Sequence, residues 1–419
     1  MERLLADWAE YVVRKTRHAI ESFGPRPPGS RGETAVQQLV ADELRGWTSG
    51  DARIDIEPFT VAPHAFMSVP LVTAVLLAAA IVCYWISPWL AAGFSGLSVA
   101  VFVAELVFYR RFLDPLYPKR TSHNVAAVQP PLGAVRRRLV VNAHPDAAFE
   151  WRWNYLCPWL FPWMLLATII GLWTIFLANI VALELAAWDP RHWRAVWLAL
   201  DIVQMLGIVS VLVGIGFTNF RHVSPGANDN LSGLFIAVGL ARHLNLANLR
   251  LQSTELVYLS TGAEEAGTRG AIAYAERHCR EWDDVETIVI TLDTIRDLGF
   301  LRIYSRDRNG TIRHDAGVCR LLREAARRCG QELADGSVDL GSSDAAVFTH
   351  WGIRAAALCA MDPHPADYYH NRRDDDSNMD RHCIAAACAV LLEAVLWFDQ
   401  HGLSDPLAVD EEFAAASTS

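Results

Sequence analysis

Ser260-Thr-Gly-Ala-Glu-Glu-Ala-Gly267 sets two adjacent carboxylates directly after an apolar run, Leu256-Val-Tyr-Leu259, that reads as a buried strand. Neighbouring side chains near a strand end point in different directions. Glu264 and Glu265 can therefore hold different jobs, one binding a cation from the side while the other faces the space where a substrate sits. Upstream, Pro225-Gly-Ala-Asn-Asp-Asn-Leu-Ser-Gly233 places Asp229 just ahead of an apolar-periodic helix, and Val140-Val-Asn-Ala-His-Pro-Asp146 places His144 and Asp146 at another strand end. Downstream, Thr287-Ile-Val-Ile-Thr-Leu-Asp293 has the form of a strand buried on both faces and closed by a carboxylate. His370 follows in Asp367-Tyr-Tyr-His-Asn-Arg-Arg-Asp374. Two histidines and three carboxylates on the ends of separate elements, with one carboxylate left over, match what a pair of zinc ions and a general base require.

The remaining pattern predicts an α/β fold, with a mixed, mostly parallel central sheet covered by helices on both faces and ligands at the carboxyl ends of its strands. Residues 4–23 and Ala35 to Leu44 have helical spacing, separated by the helix-ending Gly24-Pro-Arg-Pro-Pro-Gly29. Arg53-Ile-Asp-Ile-Glu-Pro-Phe-Thr-Val61 alternates with period two, as for a strand near a sheet edge where Pro58 is tolerated. Later segments read as helices at 269–280, Cys319 to Cys329 and Cys383 to Phe398, and as a strand at Ala355 to Ala360.

Hydrophobic residues make up 52% of the 419 positions, above the usual share for a soluble domain. Phe66 to Tyr109 is a run of 44 residues whose single charge is Glu105, long enough for two bilayer crossings with a break near Ser87-Pro88 or Gly93 to Gly96. The alternative for that run is a pair of buried core helices. Residues 155–183 carry no charge and 195–219 carry only Asp201, which adds crossings three and four. Trp85, Trp89, Trp151, Trp153, Trp159, Trp163, Trp173, Trp188, Trp193 and Trp197 lie in or beside these runs, as interfacial anchoring expects. A formal net charge of −10 without a basic stripe argues against nucleic acid as a partner. The eight cysteines show no Cys-x-x-Cys pair and read as reduced core residues, and the amino terminus does not read as a secretory signal.

The ordered set His-x-Asp, Gly-Ala-x-Asp-Asn-x-Ser-Gly, Glu-Glu-x-Gly, Leu-Asp, Ser-Asp and Tyr-His-x-x-x-Asp resembles the co-catalytic di-zinc aminopeptidases of metallopeptidase family 28. The resemblance implies two zinc ions. Asp229 would bridge them, with His144 and Asp293 completing one site and Glu265 and His370 the other. It makes Glu264 the general base, Asp146 the partner that orients His144, and Asp374 a supporting carboxylate. Asp344 matches the Ser-Asp of a Ser-Asp-His motif, but Ala345 replaces the histidine, which leaves Asp344 a structural role. The family pattern joins the His-x-Asp strand to the Asp229 loop by a short connection, whereas here residues 147–224 are inserted between them. Both motifs must still meet at one centre, so each inserted pair of crossings must enter and leave on the same side. The chain then divides into catalytic segments at 1–65, 113–150 and 223–405, transmembrane hairpins at 66–112 and 151–222, and a flexible tail at 406–419.

The expected activity is hydrolysis at the amino terminus of peptides by a membrane-anchored enzyme. Three alternatives stay open: a dipeptidase or carboxypeptidase, in which Arg372 beside His370 holds a substrate carboxylate; a one-zinc glutaminyl cyclase on the same scaffold; and a non-catalytic membrane scaffold with a peptidase-like domain. Arg110, Arg111, Lys119, Arg120, Arg152 and Arg221 flank the crossings on the catalytic side, against Arg191 and Arg194 on the other. That asymmetry predicts a cytoplasmic catalytic domain in an integral membrane protein whose partners are peptide substrates and the lipid bilayer.

Overall fold

The computed structural model describes residues 2–187, 193–364 and 366–403. The expected tail at 406–419 and the flanking residues Trp188 and Arg191 lie outside the described residues. The chain opens with helices α1 (Glu2–Phe23) and α2 (Arg31–Trp47) and strand β1 (Arg53–Val61). Two apolar helices follow, α3 (Val69–Tyr84) and α4 (Pro88–Phe102), and then β2 (Arg120–Gln129), β3 (Arg137–Ala143) and β4 (Phe149–Trp151). The short α5 (Arg152–Leu156) precedes a second apolar pair, α6 (Phe161–Leu185) and α7 (Arg194–Ile215), which returns through β5 (Thr218–Val223). Next come α8 (Gly233–Leu246), β6 (Thr254–Ser260), α9 (Arg269–His278), β7 (Glu286–Ile295), β8 (Leu301–Asp307) and β9 (Ile312–Arg313). The chain closes with α10 (Ala316–Arg328), β10 (Asp335–Ser337), α11 (Asp344–His350), β11 (Arg354–Ala360) and α12 (Arg381–His401).

The strand order is β1-β2-β6-β3-β7-β11-β8-β10. At its centre β6, β3, β7 and β11 run parallel, and the antiparallel pairings lie toward the two sides. Period-two alternation sends Leu139, Val141, Ile288, Ile290, Leu292 and Leu358 to a face packed under α1, α2, α8, α10 and α12. Val140, Val257, Leu259, Val289, Ala357 and Cys359 go to the other face, covered by α9 and α11. Because the four central strands are parallel, their carboxyl ends share one edge, where loops from different strands converge.

Both apolar helix pairs are spliced into this edge through strand pairs. The register of β1 and β2 ends at Val61↔Arg120, which brackets the first hairpin, and β4 pairs β5 through Trp151↔Thr218, which brackets the second. Each insertion thus starts and finishes at adjacent strands. The first hairpin breaks at Ser87-Pro88, and beyond α4 a wider helical turn at Val103–Val107 carries Glu105 into the protein. Glu105 accepts the Leu113 N–H at 2.6 Å and shares the buried Arg269 guanidinium with Asp114, which ties the hairpin to the start of α9.

Around the bundle, α3 packs on α4 and α7, α4 on α6, and α6 on α7. Small residues permit close approach: a Cβ at Gly214 would collide with Ala74 and the Pro70 carbonyl, and one at Gly207 with Ile175. Buried polar groups inside the bundle find partners across it, Gln204 donating to Asn179 at 3.0 Å and Ser98 to the Thr73 carbonyl at 2.9 Å. Five helices among the described residues are long and apolar enough to cross a membrane, one more than the four expected. The fifth is α12, which is 72% buried, against 22–39% for the other four spans. Its apolar face is spent on α1, α8 and α10, so it is a core helix.

Candidate metal centre

Each candidate ligand arrives from a different element at the shared sheet edge. His144 follows the last residue of β3, Glu264 and Glu265 sit in a short turn after β6, Asp293 lies near the end of β7, and His370 belongs to the loop after β11. Asp229 lies in an irregular turn before α8, whose own cap position is Ser232. Asp229 therefore does not cap that helix.

The side chains converge. His144 Nε2 lies 3.5 Å from Asp229 Oδ1 and 4.0 Å from Asp293 Oδ1, while His370 Nε2 lies 3.1 Å from Asp229 Oδ2 and 3.3 Å from Glu265 Oε2. The two groups His144–Asp229–Asp293 and Asp229–Glu265–His370 each gather three ligand atoms within 4.8 Å of one another, and Asp229 belongs to both through its two oxygens. Glu264 Oε2 stands 3.9 Å from His144 Nε2. Its side chain is only 11% exposed, so it faces a pocket rather than open solvent.

Whether this set suits cations is answered by what it lacks. Glu265 Oε1 and His370 Nδ1 are buried without a hydrogen-bond partner. Among the described residues no Lys or Arg pairs with Asp146, Asp229, Glu264, Glu265, Asp293, Asp344 or Asp374. Burial pushes Glu264 and Glu265 well above the usual carboxylate range, and it raises Asp293 to about 7. Asp229 goes the other way: burial raises it, but the hydrogen bond and charge of His370, with His144 behind, bring it below its ordinary value. Nitrogen and carboxylate donors crowded without countercharge fit two borderline-soft dications such as zinc.

The supports are as specific as the ligands. Asp146 lies 3.5 Å from His144 Nδ1 and accepts the Glu264 and Glu265 backbone N–H groups at 3.1 and 3.0 Å, so one carboxylate couples two ligand loops. Asp374 accepts the N–H groups of Asn228 and Asp229 and the Asn228 amide, fixing the bridging loop. Burial among them raises Asp374 to about 7. Asp344 is buried and hydrogen-bonded to Thr261, a structural place. Left-handed backbone at Ala263 (φ 53°), Thr294 (φ 47°) and His370 (φ 50°) flanks Glu264 and Asp293 and holds His370. Such strain costs about 1–3 kcal/mol per residue and persists where surroundings enforce it. At His370 the enforcing contacts are its carbonyl, which accepts the Trp151 N–H at 2.7 Å, and its ring, packed 4.4 Å from Trp151 and 3.9 Å from Tyr369.

Arg372 does not reach toward a substrate. Its guanidinium makes a two-pronged pair with Glu150 at 2.7 and 2.8 Å and lies over the Tyr155 ring, which anchors the His370 loop to β4. Three residues that matter went unread from sequence. Arg26 is fully buried and donates to the carbonyls of Pro145, Pro225 and Gly226, stapling the His144 loop to the Asp229 loop; burial lowers it to about 10. Glu33 accepts the Ala263 N–H at 2.7 Å beneath the paired glutamates. Tyr369 lines the pocket with its phenol kept protonated by burial. Arg26 sits in the quoted Pro-Arg-Pro run, where an Arg between prolines was the available signal.

Residues 210–395 match the family model described as Peptidase family M28. That segment, from the end of α7 into α12, is similar to the family. Asp229, Glu264, Glu265, Asp293 and His370 fall inside the matched segment, and His144 with Asp146 lies upstream of it. Among solved structures, the chain is similar in fold to an aminopeptidase from Aneurinibacillus sp. strain AM-1 (TM-score 0.56, 14% identity, 95% of this chain and 96% of that one). It is also similar to BSAP, a zinc aminopeptidase from Bacillus subtilis (TM-score 0.53, 14% identity, 92% and 94%). A glutaminyl cyclase from an Acidobacteriales bacterium is as near (TM-score 0.55, 14% identity, 94% and 95%), so the fold alone does not select the activity. No curated protein matches the chain.

Proposed function

We propose that this chain is a membrane-anchored zinc metallopeptidase that removes residues from the amino terminus of peptides. The observation that carries the reading is Asp229, whose two oxygens face two separate histidine-and-carboxylate groups. A cyclase reading needs one zinc only and leaves the His144–Asp229–Asp293 group without purpose. The scaffold reading requires a lost ligand or base, and none is lost. His144, Asp229 and Asp293 would hold one ion and Asp229, Glu265 and His370 the other. Zinc held there supplies Lewis-acid polarisation of the scissile carbonyl and a more acidic water.

The chain's own residues do the rest. Glu264 takes a proton from the attacking water and returns it to the amine nitrogen as the C–N bond breaks. The Tyr369 phenol, buried beside the ligands, donates to the carbonyl oxygen as that oxygen gains charge. Asp146 and Asp374 hold the loops that carry these groups. The four spans support anchoring: they expose large apolar side chains on their outer faces, and exposed tryptophans lie near both ends, Trp85 and Trp89 at one and Trp159 and Trp163 at the other. The test is metal content and turnover of the full chain in lipid nanodiscs. About two zinc per chain with cleavage of Leu-Gly-Gly that stops on N-acetylation fits the proposal; one zinc, or equal turnover of the acetylated peptide, refutes it.

A further inference from the structure

The pocket at the metal centre does not end there. The same cavity is lined at one end by Asp229, Glu264, Glu265, Asp293 and His370 and at the other by all four membrane-type helices. Its wall on the first span, which starts in a tighter turn at Phe66–Ser68 and continues into α3, runs from Met67 to Leu77, ten residues and therefore about 15 Å along the helix. That deep wall holds no charged side chain. Its few hydroxyls are already satisfied by their neighbours: Thr73 donates to the Val69 carbonyl at 2.8 Å, Thr168 to Met164 at 2.7 Å and Ser210 to Ala167 at 3.3 Å. The channel therefore presents aliphatic surface with no free polar partner.

A peptide backbone cannot enter such a space, because each N–H and C=O would be buried without a partner. The polar, amine-side half of any amide cut at the centre must leave by the open mouth. What fits the deep end is a narrow, unbranched hydrocarbon. We propose that the acyl half of the substrate carries a long aliphatic chain, which lies between α3, α4, α6 and α7 while its amide sits at the metal centre. The proposal rests on the amide-hydrolase reading above. Water adds to the carbonyl carbon, the C–N bond breaks, the long-chain half leaves as a carboxylate and the amine takes up the proton. The length of the wall suits a chain of roughly a dozen carbons, and the chemistry is shared by two sources: an amino-terminal residue with a long alkyl side chain, and a simple fatty-acyl amide.

The experiment uses the full chain in nanodiscs, loaded with zinc, and compares Leu-Gly-Gly with 2-aminooctanoyl-, 2-aminodecanoyl- and 2-aminododecanoyl-Gly-Gly and with dodecanoyl-glycine. The expected result is a kcat/KM that rises by up to about fourfold per methylene and then levels when the cavity is full. Preference within the free-amine series assigns the chain to an amino-terminal residue; preference for dodecanoyl-glycine assigns it to a fatty-acyl group. Thr168→Phe should shift the plateau to shorter chains and Leu172→Ala to longer ones, with Leu-Gly-Gly turnover unchanged in both. A second readout needs no turnover: a dodecanoyl amide with a diazirine at its tail should label α3 and α6 in the metal-free protein, and Thr168→Phe should remove that labelling. Hydrolysis of Leu-Gly-Gly with no chain preference and no labelling overturns the inference and leaves the peptidase reading standing. Labelling without hydrolysis of any amide keeps the cavity assignment and removes the peptidase reading.

Discussion

Glu264 and Glu265 are neighbours in sequence with separate tasks in space. Glu265 points an oxygen at His370, 3.3 Å away, inside a three-ligand group, whereas Glu264 lies beside His144 at the pocket wall. Glu264→Gln should keep both metals and lose about 10²–10⁴ in turnover, the usual worth of a positioned general base. Glu265→Ala should lose metal first. Metal analysis of the two purified variants beside their turnover separates these outcomes, and equal zinc loss in both would mean the roles are misassigned. The six residues read as ligands or base all meet at the centre: five end or follow a strand whose apolar pattern is local and readable, and Asp229 precedes the apolar-periodic helix α8. Arg372, a substrate anchor in one of the alternatives left open by the sequence, instead pairs with Glu150, a partner 222 residues away that local pattern could not reveal.

Loops, rather than strands, decide the geometry of the centre, and they are tied to one another by buried side chains. Arg26 donates to three carbonyls in the loops that carry His144 and Asp229, and its own carbonyl accepts the Ala147 N–H. Arg26→Met should strand those carbonyls away from water, at a cost of about 3 kcal/mol in stability. A positioning role demands more than lost stability. Zinc affinity should fall with it while Glu264 stays in place, so the thermal midpoint of the metal-free protein and a zinc titration must both move. A lowered midpoint with unchanged zinc affinity would reduce Arg26 to a packing residue. The element most open to misreading by composition is α12, apolar enough to span a bilayer yet enclosed by three other helices.

For the whole molecule, the splicing of both hairpins at strand pairs puts the catalytic sheet on one side of any membrane that the four spans cross. Lys and Arg near the span ends on that side exceed those on the other, and such residues resist translocation, so we propose that the catalytic side is cytoplasmic. Cysteines introduced at the exposed positions Ala187, beyond α6, and Arg313, in β9, report on this directly in intact cells. A membrane-impermeant thiol reagent should gain labelling over the parent chain at position 187 alone. A gain at position 313 alone would reverse the orientation.

Periodicity was enough to read β1, β3, β6, β7, β11 and the paired apolar hairpins, and the ordered motifs with their family resemblance picked out the candidate ligands, since each depends on residues within a few positions of one another; β2, β8 and β10 were not read. The edge position of β1, with Pro58 in it, and the break at Ser87-Pro88 were legible for the same reason. Three things were not. The sharing of Asp229 between two groups depends on where β3, β6, β7 and β11 end relative to one another in the sheet. The roles of Arg26 and Glu33 depend on carbonyls and N–H groups more than 100 residues away, and backbone groups carry no signature in side-chain pattern. The cavity that joins the metal centre to the hairpins arises only when helices from two insertions, separated by the first metal motif, pack into one bundle, because empty space is a property of the packing and of no residue.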